Sequence, residues 1–299
     1  MARVLITGGS GLIGRHLTPL LLRQGHEVAH LTRNPHYRPG DIKSFRWDVG
    51  QQAIDPAAIP WAEHIIHLAG ESVGQRWTKG VKNRILHSRI ASTELLRNQL
   101  AATRHHLQSF ISASALGFYG DNTGNTLLTE ASPRGEGFLA DVVYAWEAAV
   151  DRTAPHADRV VKIRIGVVLA KEGGALPKML APVTWGVGAA LGSGRQWLSW
   201  LHVEDLCRIF LLALTQPLQG VYNGVGPNPV TNKDFTQKLA KQVKRPLFLP
   251  PVPSFALRLL LGEMAVLALG GNRAQPAALI EEGFTFTYAG LEPALANLL

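Results

Sequence analysis

The segment Thr7-Gly8-Gly9-Ser10-Gly11-Leu12-Ile13-Gly14, close to the N-terminus, carries the clearest chemical signal in the chain. It reads as G-x-G-x-x-G from Gly9 and equally as G-x-x-G-x-x-G from Gly8. Glycines at this spacing permit a tight turn and let the backbone approach a pyrophosphate closely. A helix opening behind such a turn aims its free N–H groups and positive dipole end at the phosphates. Alone, the pattern would fit a plain structural turn. Here it lies between an apolar run, Val4-Leu5-Ile6, and the helically spaced Ile13, Leu17, Leu20 and Leu21. That setting makes it a dinucleotide site on a Rossmann-type βαβ unit.

The choice of dinucleotide should be written after the second strand. An NAD site places an acid there for the ribose 2′-hydroxyl. This chain instead has Thr32-Arg33-Asn34, with no acid and with a guanidinium suited to a 2′-phosphate. The expected cofactor is therefore NADP(H). Asp48, following Phe45-Arg46-Trp47, could reach the adenine or simply close a turn. His67-Leu68-Ala69-Gly70 ends a further strand, where glycine permits close backbone approach.

These residues need a parallel sheet to bring them together. Strands are expected at Val4–Ile6, Val28–Leu31, Ile65–Leu68, Phe110–Ser112 and Val160–Ile165, and the first helix should end near Gln24-Gly25. A long helical stretch, roughly residues 80–103, places Ile85, Ile90, Leu95 and Leu96 on or near one face. Near-continuous apolar strands imply helices on both sides of the sheet. Beyond Lys171 the glycines and prolines of residues 173–194 mark loops, and residues 246–253 mark another break. The expected fold is α/β, a doubly wound parallel Rossmann sheet with a smaller C-terminal lobe on the substrate side. Residues 1–172, joined by about 200–228, would form the NADP-binding domain. Residues 173–199 and 229–299 would form the lobe.

Bulk properties narrow the function classes. The chain has 299 residues, 46% hydrophobic and 17% charged, an ordinary globular balance. No apolar run approaches the ~20 residues a membrane span needs, and the N-terminal residues lack an export signal's apolar core. The single cysteine, Cys207, allows no internal disulfide, and histidines are not clustered for zinc. These features point to a cytoplasmic protein with no metal site. The net charge of +8 is dispersed, without a basic run, which argues against a nucleic-acid partner.

Further motifs carry a resemblance. Thr7-Gly8-x-x-Gly11-x-x-Gly14, His67-Leu68-Ala69-Gly70, Ser112-Ala113-Ser114 and Trp200-Leu201-His202-Val203-Glu204-Asp205-Leu206 resemble an extended short-chain dehydrogenase/reductase. Gly70-Glu71, Arg76-Trp77, Ser88-Arg89, Gly117-Phe118-Tyr119-Gly120, Trp146-Glu147 and Gly192-Ser193-Gly194-Arg195 narrow it to the atypical "epimerase family" group. Gly262-Glu263-Met264 and Glu282-Gly283-Phe284-Thr285-Phe286 resemble that group's extra C-terminal domain of unknown function. The resemblance implies cofactor contacts at Gly8, Gly11, Leu12, Ile13, Gly14, Thr32, Arg33, Leu68, Ala69, Gly70 and Arg89. It also implies Arg164 and Val167 near the nicotinamide end, and nucleotide sugars or related carbonyl compounds as substrates. Arg76 and Arg195 would meet a substrate phosphate or carboxylate.

The catalytic set departs from that pattern. Such enzymes use a serine with Y-x-x-x-K, in which lysine lowers the pKa of the tyrosine that moves the proton. Ser114 matches the serine. The helix before Trp146-Glu147 reads Phe138-Leu139-Ala140-Asp141-Val142-Val143-Tyr144-Ala145, with no tyrosine four before a lysine. Tyr119 is the phenol left near Ser114, and Ser114 with Tyr119 is the candidate catalytic pair. Tyr119 could equally be a packed aromatic, Glu71 and Asp141 could be solvated acids, and His202 reads as structural. The sequence thus supports an oxidoreductase or epimerase, and alternatively a non-catalytic NADP(H)-sensing regulator. A homodimer is compatible with either.

Overall fold

The computed structural model describes residues 1–34 and 42–299. The chain opens with β1 (Arg3–Thr7), α1 (Leu12–Arg23), β2 (Glu27–Thr32), β3 (Lys43–Asp48) and β4 (Ala53–Ile54). It continues with α2 (Ala58–Trp61), β5 (His64–His67), α3 (Lys79–Thr103), β6 (Ser109–Ala115), β7 (Asn122–Leu128), α4 (Phe138–Asp151) and β8 (Val160–Ile165). Next come β9 (Val167–Ala170), β10 (Gly173–Gly174), α5 (Leu176–Thr184), β11 (Trp197–Leu198), β12 (Trp200–His202), α6 (Val203–Thr215) and β13 (Gly220–Gly224). The last elements are β14 (Val230–Thr231), α7 (Asn232–Gln242), α8 (Ser254–Leu261), α9 (Val266–Leu269), β15 (Gly271–Ala274), α10 (Ala277–Glu281) and α11 (Leu291–Leu298).

The central sheet runs in the order β13-β8-β6-β5-β1-β2-β3-β4. Its strands pair in parallel, except that edge strand β4 runs antiparallel to β3. From β1 the chain winds outward through β2 and β3, then returns to β5 on the other side of β1 and winds the opposite way. The reversal opens a crevice at the C-terminal ends of β1 and β5, where Thr7 lies opposite His67. Val4, Leu5, Ile6, Ile65, Ile66, Phe110 and Ile111 are fully buried, as strands covered on both faces require. This is a doubly wound α/β fold.

A second apolar cluster lies beside the sheet, where Leu176 and Val183 of α5, Phe235 and Leu239 of α7, and Leu291 and Leu295 of α11 pack around Trp200. Residues 173–194, expected to be loop, include α5. Pro177 sits in that helix's first turn, where its missing N–H leaves no bond unmade. Main-sheet strand β13 had little apolar signal of its own, because it begins and ends with glycine. Among the described residues, no helix is long and apolar enough to cross a membrane.

Candidate dinucleotide and substrate cleft

The turn between β1 and α1 is built from glycines that no other residue could replace without movement. Gly8 adopts φ +69°, and a Cβ there would lie 3.0 Å from Ala69 N. A Cβ on Gly9 would come within 2.6 Å of the His30 ring, and one on Gly14 within 2.5 Å of Gly9 Cα. Gly11 caps α1 without a side chain, and the first turn carries no acid, so nothing on α1 itself competes for an anion.

Beneath the turn a buried network fixes the neighbouring strand end. Thr7 Oγ1 accepts hydrogen bonds from the N–H groups of Leu68 and Ala69, both at 3.1 Å, and lies 2.7 Å from His67 Nδ1. On its far side, His67 Nε2 meets Ser92 Oγ at 3.2 Å and Thr93 Oγ1 at 3.1 Å. Burial pushes the His67 pKa down to about 3, with the Arg89 charge adding to the effect, so the ring is neutral.

Two hollows meet at this turn. One, of about 790 Å³, is lined by Gly8–Gly11, His30–Asn34, Trp47, Val49 and Leu68–Glu71. Thr32 and Arg33 therefore stand on the same wall as Ala69 and Gly70. Trp47 and Val49 were not anticipated there, since nothing in Phe45-Arg46-Trp47 marks one side chain of β3 as facing a ligand. Asp48 closes a turn by accepting from Gln51 N–H at 3.1 Å.

The other hollow, of about 610 Å³, is mostly apolar and shares Gly8, Gly11 and Leu68 with the first. Leu12, Ile13 and Gly14 line it, as do Val167 and Arg89. Arg89 is held by Ile85 O at 2.9 Å and over the Trp146 ring at 5.1 Å. Burial lowers its pKa to about 10, which leaves it charged at neutral pH. Leu139 and Val143 of α4, one helical turn apart, line it from the helix that carries no Y-x-x-x-K pair. Asp121, Asn272 and Trp197 also line this cavity without any motif that marks them in the sequence, although Asp121 directly follows Gly117–Gly120.

The candidate catalytic pair lies behind this wall. Ser114 Oγ donates to Glu147 Oε1 at 2.5 Å. Glu147 also accepts from Arg164 Nε and Nη2, each at 2.8 Å. Tyr119 OH donates to Asn223 Oδ1 at 2.8 Å and accepts from Arg164 Nη1 at 3.0 Å. Burial holds the Tyr119 phenol above its ordinary range. Ser114, Tyr119 and Arg164 line neither hollow, because their polar atoms face one another between the sheet and α4. The Arg164 guanidinium, expected near the nicotinamide end, is bonded to Glu147 and lies over the Phe118 ring, 3.4 Å from its centroid.

Other candidates also find structural duties. His202 caps α6 by accepting from Glu204 N–H at 3.1 Å and stacks on Tyr288. Asp141 is ion-paired with Arg134, and Glu71 accepts from Gln75 Nε2 at 2.8 Å. Arg76 and Arg195 are exposed and line neither hollow. Among the described residues no cluster of metal-ligating side chains is found.

Comparison with known proteins fits this geometry. The model of the NAD dependent epimerase/dehydratase family matches residues 4–225. The chain belongs to that family. A second model, a domain of unknown function (DUF1731), matches residues 252–298. Among family members, the epimerase family protein YfhF of Bacillus subtilis is 37% identical, over 99% of this chain and 97% of that one. The mouse epimerase family protein SDR39U1 is 36% identical, over 99% of each chain. The crystal structure of human SDR39U1 with NADPH superposes with a TM-score of 0.86 at 32% identity, over 99% of this chain and 98% of that one.

Proposed function

We propose that this epimerase-family protein is an NADP(H)-dependent oxidoreductase or epimerase acting on a carbonyl compound. One observation carries the reading. The hollow beside Arg33 and the apolar cavity share Gly8, Gly11 and Leu68, so a single dinucleotide laid across the turn would reach both. Gly9 and Gly14 leave space only for backbone, the N-terminus of α1 would hold the pyrophosphate, and Arg33 would meet the 2′-phosphate. The human relative solved with NADPH supports the same choice of cofactor. Bound there, NADPH would supply a hydride.

The cavity favours an uncharged substrate over a nucleotide sugar. Arg89 is the one cation among its described lining residues, and a substrate pyrophosphate would need more than that. The lack of a Y-x-x-x-K pair on α4, whose Leu139 and Val143 line the cavity, favours a second reading, a non-catalytic NADP(H)-sensing regulator. A panel of uncharged aldehydes and ketones, followed by NADPH absorbance, separates the two. Substrate-dependent oxidation supports the enzyme. Tight NADPH binding with no oxidation across the panel supports the sensor.

A further inference from the structure

Asp121 is the one carboxylate among the described residues lining the apolar cavity, and its Oδ1 is buried without a hydrogen-bond partner. The residue is fixed from two sides. Its backbone carbonyl accepts from Gly271 N–H at 3.0 Å. Its carboxylate packs on Gly137, just before α4, where a Cβ would come within 2.8 Å of Oδ2. Burial pushes the carboxyl above the usual aspartate range. The other charged group on the cavity wall is Arg89 of α3.

Asn272, one residue beyond Gly271, lines the same cavity and is 8% exposed. Its Nδ2 donates to Leu116 O at 3.2 Å and Gly120 O at 2.9 Å. Those two acceptors settle the amide's orientation and leave Oδ1 buried without a partner. Both Oδ1 atoms are enclosed in the wall, and Oδ2 is the carboxylate oxygen of Asp121 that is not.

We propose that Asp121 is the catalytic acid/base of this cavity, giving a proton from its carboxyl to the oxygen of a small uncharged carbonyl substrate. The assignment rests on the NADP(H) reading above. It also explains how proton transfer proceeds without the usual phenol, since Leu139 and Val143 carry no proton and the Tyr119 hydroxyl is bonded elsewhere. Burial raises the carboxyl's pKa, which makes it a better proton donor than an ordinary aspartate.

The balance is simple. Bound NADPH would supply the hydride for the carbonyl carbon. The C=O π pair moves onto oxygen, which forms its O–H bond as the O–H bond at Asp121 breaks. Asp121 is left as a carboxylate and regains its proton from water. In the reverse direction the carboxylate removes the hydroxyl proton of the alcohol.

Two measurements test the assignment on the full chain. Carbon-13 NMR of aspartate-labelled protein with NADP⁺ bound, assigned by the signal lost in Asp121→Asn, should show this carboxyl titrating above the ordinary aspartate range. With 9,10-phenanthrenequinone as the probe, Asp121→Asn should lower kcat by about 10²-fold or more while NADPH affinity stays within about twofold. Asp121→Glu should restore part of the rate. An ordinary or lowered carboxyl titration, a kcat within about threefold of wild type in Asp121→Asn, or a wild-type protein that binds NADPH and leaves the quinone unreduced would overturn the proposal. Failure of wild type to bind NADPH at all would instead overturn the cofactor reading beneath it.

Discussion

Glu147 on α4 and Arg164 on β8 form a two-pronged ion pair, with Nε–Oε1 and Nη2–Oε2 distances both 2.8 Å. Both side chains are almost completely buried, at 7% and 5% exposure. The pair ties the helix to the sheet and also engages Ser114 and Tyr119. These polar residues near the site therefore hold the cavity wall from behind, while the wall itself is apolar.

Removing one partner strands the other charge in a desolvated place. Glu147→Ala is expected to lower stability by about 3–5 kcal/mol, and Arg164→Leu by a similar amount. The double variant should lose less than the sum. Urea unfolding of all three checks this; purely additive losses would mean the two residues are independent.

The glycine turn gives a sharper steric test. Gly9→Ala places its methyl 2.6 Å from the His30 ring and should weaken NADPH binding by about tenfold or more. Gly9→Ala combined with His30→Ala should recover part of that loss, because the obstructing ring is gone. Fluorescence titration of both variants distinguishes a steric cause from a general loss of fold.

Much of this was legible beforehand, for physical reasons. The βαβ start could be read because fully buried strands leave unbroken apolar runs, and α3 was expected at 80–103 against Lys79–Thr103 in the structure. The roles of Trp47 and Asp121 could not be read, since neither burial direction on a strand nor the absence of a hydrogen-bond partner leaves a mark in one sequence. Ser114 and Tyr119 stood at suggestive spacing, but spacing does not reveal that Glu147, Arg164 and Asn223 take up their hydroxyls.

Buried histidines give the protein a distinct acid limb. Burial lowers His30 and His64 to about 4 and His67 to about 3, from an ordinary value of 6.5. The unfolded chain therefore binds more protons than the folded one between those values. Stability is full above about pH 6.5 and falls as pH drops toward 4, by up to about 1.4 kcal/mol per pH unit for each histidine. Urea midpoints measured from about pH 7.5 to about pH 5 should fall steeply. His67→Gln should flatten the slope by about one proton.

The most direct test of the central claim is titration of the purified protein with NADPH and NADH, alongside Arg33→Asp. NADPH should bind about 10–100-fold more tightly than NADH, from charge-assisted contact with the 2′-phosphate. Arg33→Asp should erase that preference while changing NADH affinity by less than about threefold. Equal binding of the two cofactors by wild type, or a preference untouched in Arg33→Asp, would contradict the placement of the 2′-phosphate at Arg33. No binding of either would contradict the account as a whole.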